Sequence, residues 1–147
     1  MPDVTTTPHD YTQEAKVLFA AFADRYGLIY DVDEAAPVEV CWRFPVQEHL
    51  SVPITLALQN GDEINFCVAE FWSYFFPFPK VAGEFDGILD AWAAGKARVV
   101  TGIWGSSLQV FDAGHWKTVY RAGRFFPAWG RRERLVQNQR SEQAIVQ

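Results

Sequence analysis

Residues Ile54 to Pro79 (ITLALQNGDEINFCVAEFWSYFFPFP) constrain the fold more than any other stretch. Ile54, Leu56 and Leu58 alternate with Thr55, Ala57 and Gln59, the period-two pattern of a strand with one buried face. After Asn60-Gly61-Asp62 the alternation resumes, with Ile64, Phe66 and Val68 set against Asn65, Cys67 and Ala69. Two turn lengths compete. A two-residue Asn60-Gly61 turn puts Leu56 opposite Asn65 and Leu58 opposite Glu63, so the two apolar faces lie on opposite sides of the sheet. A three-residue loop pairs Leu58 with Ile64, Leu56 with Phe66 and Ile54 with Val68, and one face becomes continuously apolar. A one-residue slip turns every side chain over, so the three-residue register is predicted.

Past Val68 the alternation breaks. Glu70 falls in phase with the apolar face, and Phe71, Trp72, Tyr74, Phe75, Phe76 and Phe78 crowd behind it. The second strand is expected to run on into this block and to stop at Pro77 and Pro79, which lack backbone donors. Rings at this density need cover, from the core or from a partner. Plain core would leave the function open. As a recognition surface, Trp72, Tyr74, Phe75, Phe76 and Phe78 suit a small non-enzymatic binding or adaptor protein that contacts a protein partner or a second copy of itself in a homodimer. The alternative is a small-molecule-binding domain or enzyme. Its aromatic-lined pocket would lie between helix and sheet, with Glu70 as polar anchor and desolvation favouring the neutral acid.

The remainder of the chain supplies the other elements. Met1 to His9 is polar with two prolines and reads as a flexible tail. Asp10 followed by Gln13 resembles a capping box opening a helix through Tyr26, with Tyr11, Ala15, Leu18, Phe19, Phe22 and Tyr26 as its apolar stripe and Gly27 as its stop. Leu28 to Val32 and Val38 to Phe44 are strands. Asp31, Asp33 and Glu34 have no calcium loop around them, because Ala36 and Trp42 occupy the glycine and bidentate-carboxylate positions. Phe85, Ile88, Leu89 and Trp92 predict a second amphipathic helix from Gly83 to Ala94, in which Gly87 suggests a close neighbour. Arg98 to Trp104, Leu108 to Phe111 and Trp116 to Arg121 predict a three-strand meander. Turns at Gly105-Ser106 and Ala113-Gly114 place Ile103 opposite Leu108 and Phe111 opposite Trp116. From Gly130 the chain loses periodicity and reads as a polar, partly basic tail, frayed or disordered, to Gln147.

Charge is uneven. Through Gly95, four basic residues stand against fifteen acids, a net of −11; from Lys96 onward nine basic residues face three acids, a net of +6. Arg131, Arg132 and Arg134 are the candidate anion contacts. Arginines beside Phe125, Phe126 and Trp129 are also what a single-stranded nucleic acid would need. The pI of about 5.1 and the lack of an RNA-binding signature argue against that partner.

No G-x-G-x-x-G, P-loop, G-x-S-x-G, H-E-x-x-H or C-x-x-C is present, so no catalytic residue, metal ligand or cofactor is assigned. Glu48-His49 in a loop lacks a third orienting group. His9, His49 and His115 with two separated cysteines give no zinc spacing. Cys41 and Cys67 each fall inside a predicted strand and are expected as buried thiols, with the cytoplasm as compartment. No apolar run approaches the ~20 residues of a membrane span. At 147 residues the chain has the length of one domain, expected over 10–129. The order of elements implies an α+β fold: a two-layer sandwich, mainly antiparallel sheet, with two amphipathic helices on one face. In outline only, and through no shared motif, this order resembles small secretion-chaperone-like folds, which bind polypeptides through sheet and helix surfaces.

Overall fold

The computed structural model describes residues 9–123, 129–130 and 132–139. The expected N-terminal tail, apart from His9, lies outside them. Along the chain the elements are α1 (Thr12–Tyr26), β1 (Asp31–Val32), β2 (Val40–Phe44), β3 (Ile54–Gln59), β4 (Glu63–Val68), β5 (Phe71–Trp72), α2 (Phe78–Ala93), β6 (Ala97–Gly102), β7 (Gly105–Asp112), β8 (His115–Gly123) and β9 (Arg134–Gln137). The fold is α+β and mainly antiparallel. Its strands form two sheets where one was expected: a five-stranded sheet in the order β1-β2-β3-β4-β5 and a four-stranded sheet in the order β8-β7-β6-β9.

The central hairpin has the predicted register. Ile54 pairs with Val68, Leu56 with Phe66 and Leu58 with Ile64, and all six side chains are buried on one face. Antiparallel pairing with β2 adds Val40, Trp42 and Phe44 to the same face. Both helices cover it. Phe19 and Phe22 of α1 meet Trp42 and Phe44, each pair at 5.7 Å between ring centroids. Trp92 of α2 meets Phe66 at 5.1 Å, and Phe85 meets Phe75 at 5.7 Å. Each such ring contributes roughly 1.5–3 kcal/mol by leaving water. At the helix–helix seam Arg25 bonds Asp90 Oδ1 through Nε at 3.0 Å and Asp86 Oδ1 through Nη2 at 2.9 Å.

Helix termini follow local chemistry with one addition from the tertiary structure. Helix α1 starts at Thr12, two residues after Asp10, whose Oδ1 accepts the Thr12 N–H at 2.9 Å. It ends at Gly27 in the left-handed region, φ 61. Helix α2 starts five residues earlier than the periodicity suggested. Pro77 is its N-cap and Pro79 lies in its first turn, where a missing N–H costs nothing. The Phe78 N–H donates to Asp62 Oδ1 at 2.7 Å, so a carboxylate from the β3–β4 loop caps the helix from outside. The same loop accepts the Tyr11 N–H at Gly61 O, 2.8 Å away, and so touches the start of both helices.

Three further expectations are corrected. The β6–β7 turn is Ile103-Trp104, with Gly102 opposite Gly105, Val99 opposite Leu108 and Ala97 opposite Val110. A turn at Gly105-Ser106 would have set Val99 opposite Asp112, and burying Val99 with Leu108 wins. Gly87 has no close neighbour, since a Cβ added there meets nothing within 4 Å. The stretch from Gly130 is not wholly a tail: Arg134–Gln137 forms β9 and pairs with Arg98–Thr101 of β6. Beyond it Asn138 is buried, and residues 140–147 lie outside the described part. Among the described residues no helix is long and apolar enough to cross a membrane.

Candidate functional site

The aromatic block does not prolong β4. The chain reverses at Ala69-Glu70, with Ala69 at φ 52, and runs back along β4 as the edge of the five-stranded sheet. Val68 pairs with Phe71 and Cys67 with Trp72. Beyond the formal strand the pairing continues: the Ser73 N–H donates to Phe66 O at 3.1 Å, and Ile64 and Phe75 exchange two bonds of 2.9 Å. The block therefore alternates. Phe71, Ser73 and Phe75 point to the helix-covered face, whereas Trp72, Tyr74 and Phe76 point to the other.

That partition settles which of the candidate rings are core. Phe75 lies against Tyr120, with centroids 5.3 Å apart, and Phe78 stacks on Tyr11 at 5.1 Å; both are buried. As contact residues these two are corrected to core. Trp72 is 37% exposed, Tyr74 43% and Phe76 64%.

The face carrying Trp72, Tyr74 and Phe76 has no described helix on it. Strand registers order its side chains in rows. One row runs Asp31, Arg43, Thr55, Cys67, Trp72; the next runs Cys41, Ala57, Asn65, Tyr74. Gln59 and Glu63 pair in a third row, flanked by Glu39 before β2 and by Phe76. The middle of the face is made of small side chains packed out of solvent: Cys41, Ala57, Asn65 and Cys67 are buried, although among the described residues no helix covers them. On one side stand the three rings, and on the other Arg43, whose Nη2 donates to Asp33 Oδ2 at 2.8 Å. The result is a trough parallel to the strands. At one end it opens into a cleft of about 440 Å³ lined by Asp31, Arg43, Thr55, Cys67 and Trp72.

The electrostatics of the trough are acidic. The Arg43 guanidinium holds the Asp33 carboxyl below its usual range. Glu63 Oε2 accepts from Gln59 Nε2 at 3.1 Å and from Asn60 Nδ2 at 3.3 Å. Asp31 and Glu39 are exposed. On the floor, Asn65 Nδ2 donates to Ser73 O at 2.9 Å, and its Oδ1 is buried without a hydrogen-bond partner. Burial drives the Cys67 thiol far above its ordinary value and raises that of Cys41.

The remaining candidates fall elsewhere. Glu70 is exposed in the Ala69-Glu70 turn and not inside a helix–sheet pocket, so the anchor expected there is corrected. It lines, with Arg134, Thr101 and Ser106, a cavity of about 90 Å³ between that turn and the four-stranded sheet. Glu70 and Arg134, assigned separately from sequence, thus come together. The space holds a few waters at most, far below the ~300 Å³ at which small-molecule sites begin. Arg132 is exposed. Arg131 lies outside the described residues, as do Phe125 and Phe126. Among the described residues no group of three or more His, Cys, Asp or Glu is placed to hold a metal ion.

Sequence reasoning missed the trough floor and the Arg43–Asp33 wall. The signal was present: they are the out-of-phase positions of the same strands, read only as the polar side. Comparison with protein-family models, curated proteins and solved structures finds no match to this chain, so the outline likeness to secretion chaperones carries no argument.

Proposed function

We propose that this is a small non-enzymatic binding or adaptor protein that contacts another polypeptide through the open face of its five-stranded sheet. The observation that carries the reading is the outward phase of Trp72, Tyr74 and Phe76 on a sheet face that no helix among the described residues covers. Three adjacent exposed rings on one edge form an apolar patch of the kind that marks interaction sites, because aromatic side chains bring large area at small entropy cost. The inward set Phe71, Phe75 and Phe78 belongs to the core, and Trp72, Tyr74 and Phe76 are the rings of the block left at the surface. A cytoplasmic setting belongs to the same proposal, and self-association as a homodimer is the alternative to a separate partner.

Site-specific photocrosslinking tests it. A benzophenone side chain at position 76 should give a discrete polypeptide adduct in the cells that make the protein, whereas one at exposed Val17 should not. Trp72→Ala with Tyr74→Ala should suppress the adduct in a protein that circular dichroism shows still folded. Equal adducts from both positions, or none from position 76, would refute the reading. Sedimentation equilibrium of wild type and Phe76→Ala identifies whether the partner is a second copy.

A further inference from the structure

The trough has a chemistry more specific than an apolar patch. Its aromatic wall presents ring faces and edges, and its flanks carry Asp31 and Glu39, both exposed. The single described cation in its rows, Arg43, is already taken up by Asp33. Ring quadrupoles and carboxylates both attract cations, and here they stand at opposite margins of one sheet face, with Asp31 beyond Arg43 and Glu39 at the start of β2. From β5 to β2, which Glu39 precedes, is three strand spacings, about 14 Å, and from β5 to Asp31 on β1 is four, about 19 Å, so one extended chain fits along the strands between them. The rows repeat every second residue, about 6.8 Å, the same repeat as alternate side chains of an extended peptide.

We propose that the occupant is an extended cationic segment of a partner polypeptide, with its arginine or lysine side chains held between Trp72, Tyr74 and Phe76 on one side and Asp31 and Glu39 on the other. This rests on the reading of the open face as a polypeptide contact surface and adds the charge and conformation of what binds. Charge complementarity selects the occupant, since an acidic or neutral strand would meet the same rings but only repulsion or indifference from the flanks.

The test is fluorescence anisotropy with two labelled probes, a nine-residue alternating arginine–threonine peptide and its glutamate–threonine counterpart, titrated with the whole chain. The arginine probe should bind and weaken with added salt, and the glutamate probe should not bind. Asp31→Asn with Glu39→Gln should weaken the arginine probe about tenfold, as should Trp72→Ala with Phe76→Ala. Glu84→Gln with Asp112→Asn, the same charge change on exposed residues outside the trough, should leave affinity within about twofold. Equal weakening by the two acid pairs would mean diffuse attraction to an acidic protein and overturn the proposal. Loss with the aromatic pair but not with Asp31→Asn and Glu39→Gln would keep the contact surface and overturn its cationic occupant. Unchanged affinity in the aromatic pair would overturn the contact surface as well. Release of a wild-type dimer by the probe would make the occupant a second copy, which also overturns the partner assigned here.

Discussion

Replacing Asn138 asks whether the chain beyond Gly130 belongs to the folded unit. The side chain is 2% exposed and both ends of its carboxamide are engaged. Oδ1 accepts from the Ser51 N–H at 2.8 Å and from Ser51 Oγ at 3.3 Å. Nδ2 donates to His49 O at 3.2 Å and to Ala93 O at 3.3 Å. One amide thus ties β9 to the β2–β3 loop and to the end of α2. In Asn138→Ala the short bond is lost at about 1 kcal/mol, and the three longer ones at about half that each. His49 and Ser51 are exposed and recover water, so no large desolvation penalty is added. The sum is about 2–3 kcal/mol, or a fall in Tm of about 6–10 °C for a chain of this length. Urea melts followed by circular dichroism at 25 °C measure it directly.

Asn138→Asp, nearly the same shape, adds a sign. An oxygen now replaces Nδ2 opposite the carbonyls of His49 and Ala93, so the folded carboxyl is driven above its unfolded value of about 3.9. Below that pH the group is neutral in both states and the variant is at its most stable. As pH rises, the unfolded chain ionises first, and stability falls by up to ~1.4 kcal/mol per pH unit until the folded carboxyl ionises too. A loss under about 0.5 kcal/mol for Asn138→Ala would refute the reasoning. So would a pH profile for Asn138→Asp that parallels wild type.

Other consequences can be measured on the same footing. Asp62→Ala removes the external cap of α2 and should cost about 1–2 kcal/mol in urea melts, with Asp62→Asn recovering part of it. Gly105→Ala should cost about 3 kcal/mol or more, because φ is +129 and the new Cβ would lie 2.1 Å from Ala122 O; a loss under about 1 kcal/mol would mean that β7 and β8 part easily. The buried Cys67 should resist thiol reagents in the native state. Its folded thiol titrates above the ordinary value near 9.0, so its contribution is complete below that pH. Above it the unfolded state alone loses the proton, and stability falls with rising pH by up to ~1.4 kcal/mol per unit. Cys67→Ala should flatten that alkaline decline.

Much of the molecule was legible where a local pattern has a single satisfactory solution. The register of β3 and β4 follows from the phase of Ile54, Leu56 and Leu58 against Ile64, Phe66 and Val68, because no other loop length buries both sets together. Gly27 marks the end of α1 because only a residue without a Cβ takes the left-handed conformation cheaply. The turn at Ala113-Gly114, with Phe111 opposite Trp116, follows from the same logic. The acidic first half and basic second half were likewise visible in the sequence.

Tertiary structure decided the rest. The reversal at Ala69-Glu70 has no glycine or proline to announce it. It arises because an edge strand folded back on β4 buries Phe71 and Phe75, and that requirement separates five candidate rings into two core residues and three exposed ones. Asp62 caps a helix whose start it precedes by sixteen residues, and spacing alone cannot reveal a partner brought by the fold. The short run Arg134–Gln137 lacks the length to declare itself a strand; the free edge of β6 and the four contacts of Asn138 make it one. Local sequence fixes which side a residue faces once its strand is placed. Which strands become neighbours, and hence which sides form a core or a trough, depends on burial summed over the whole chain.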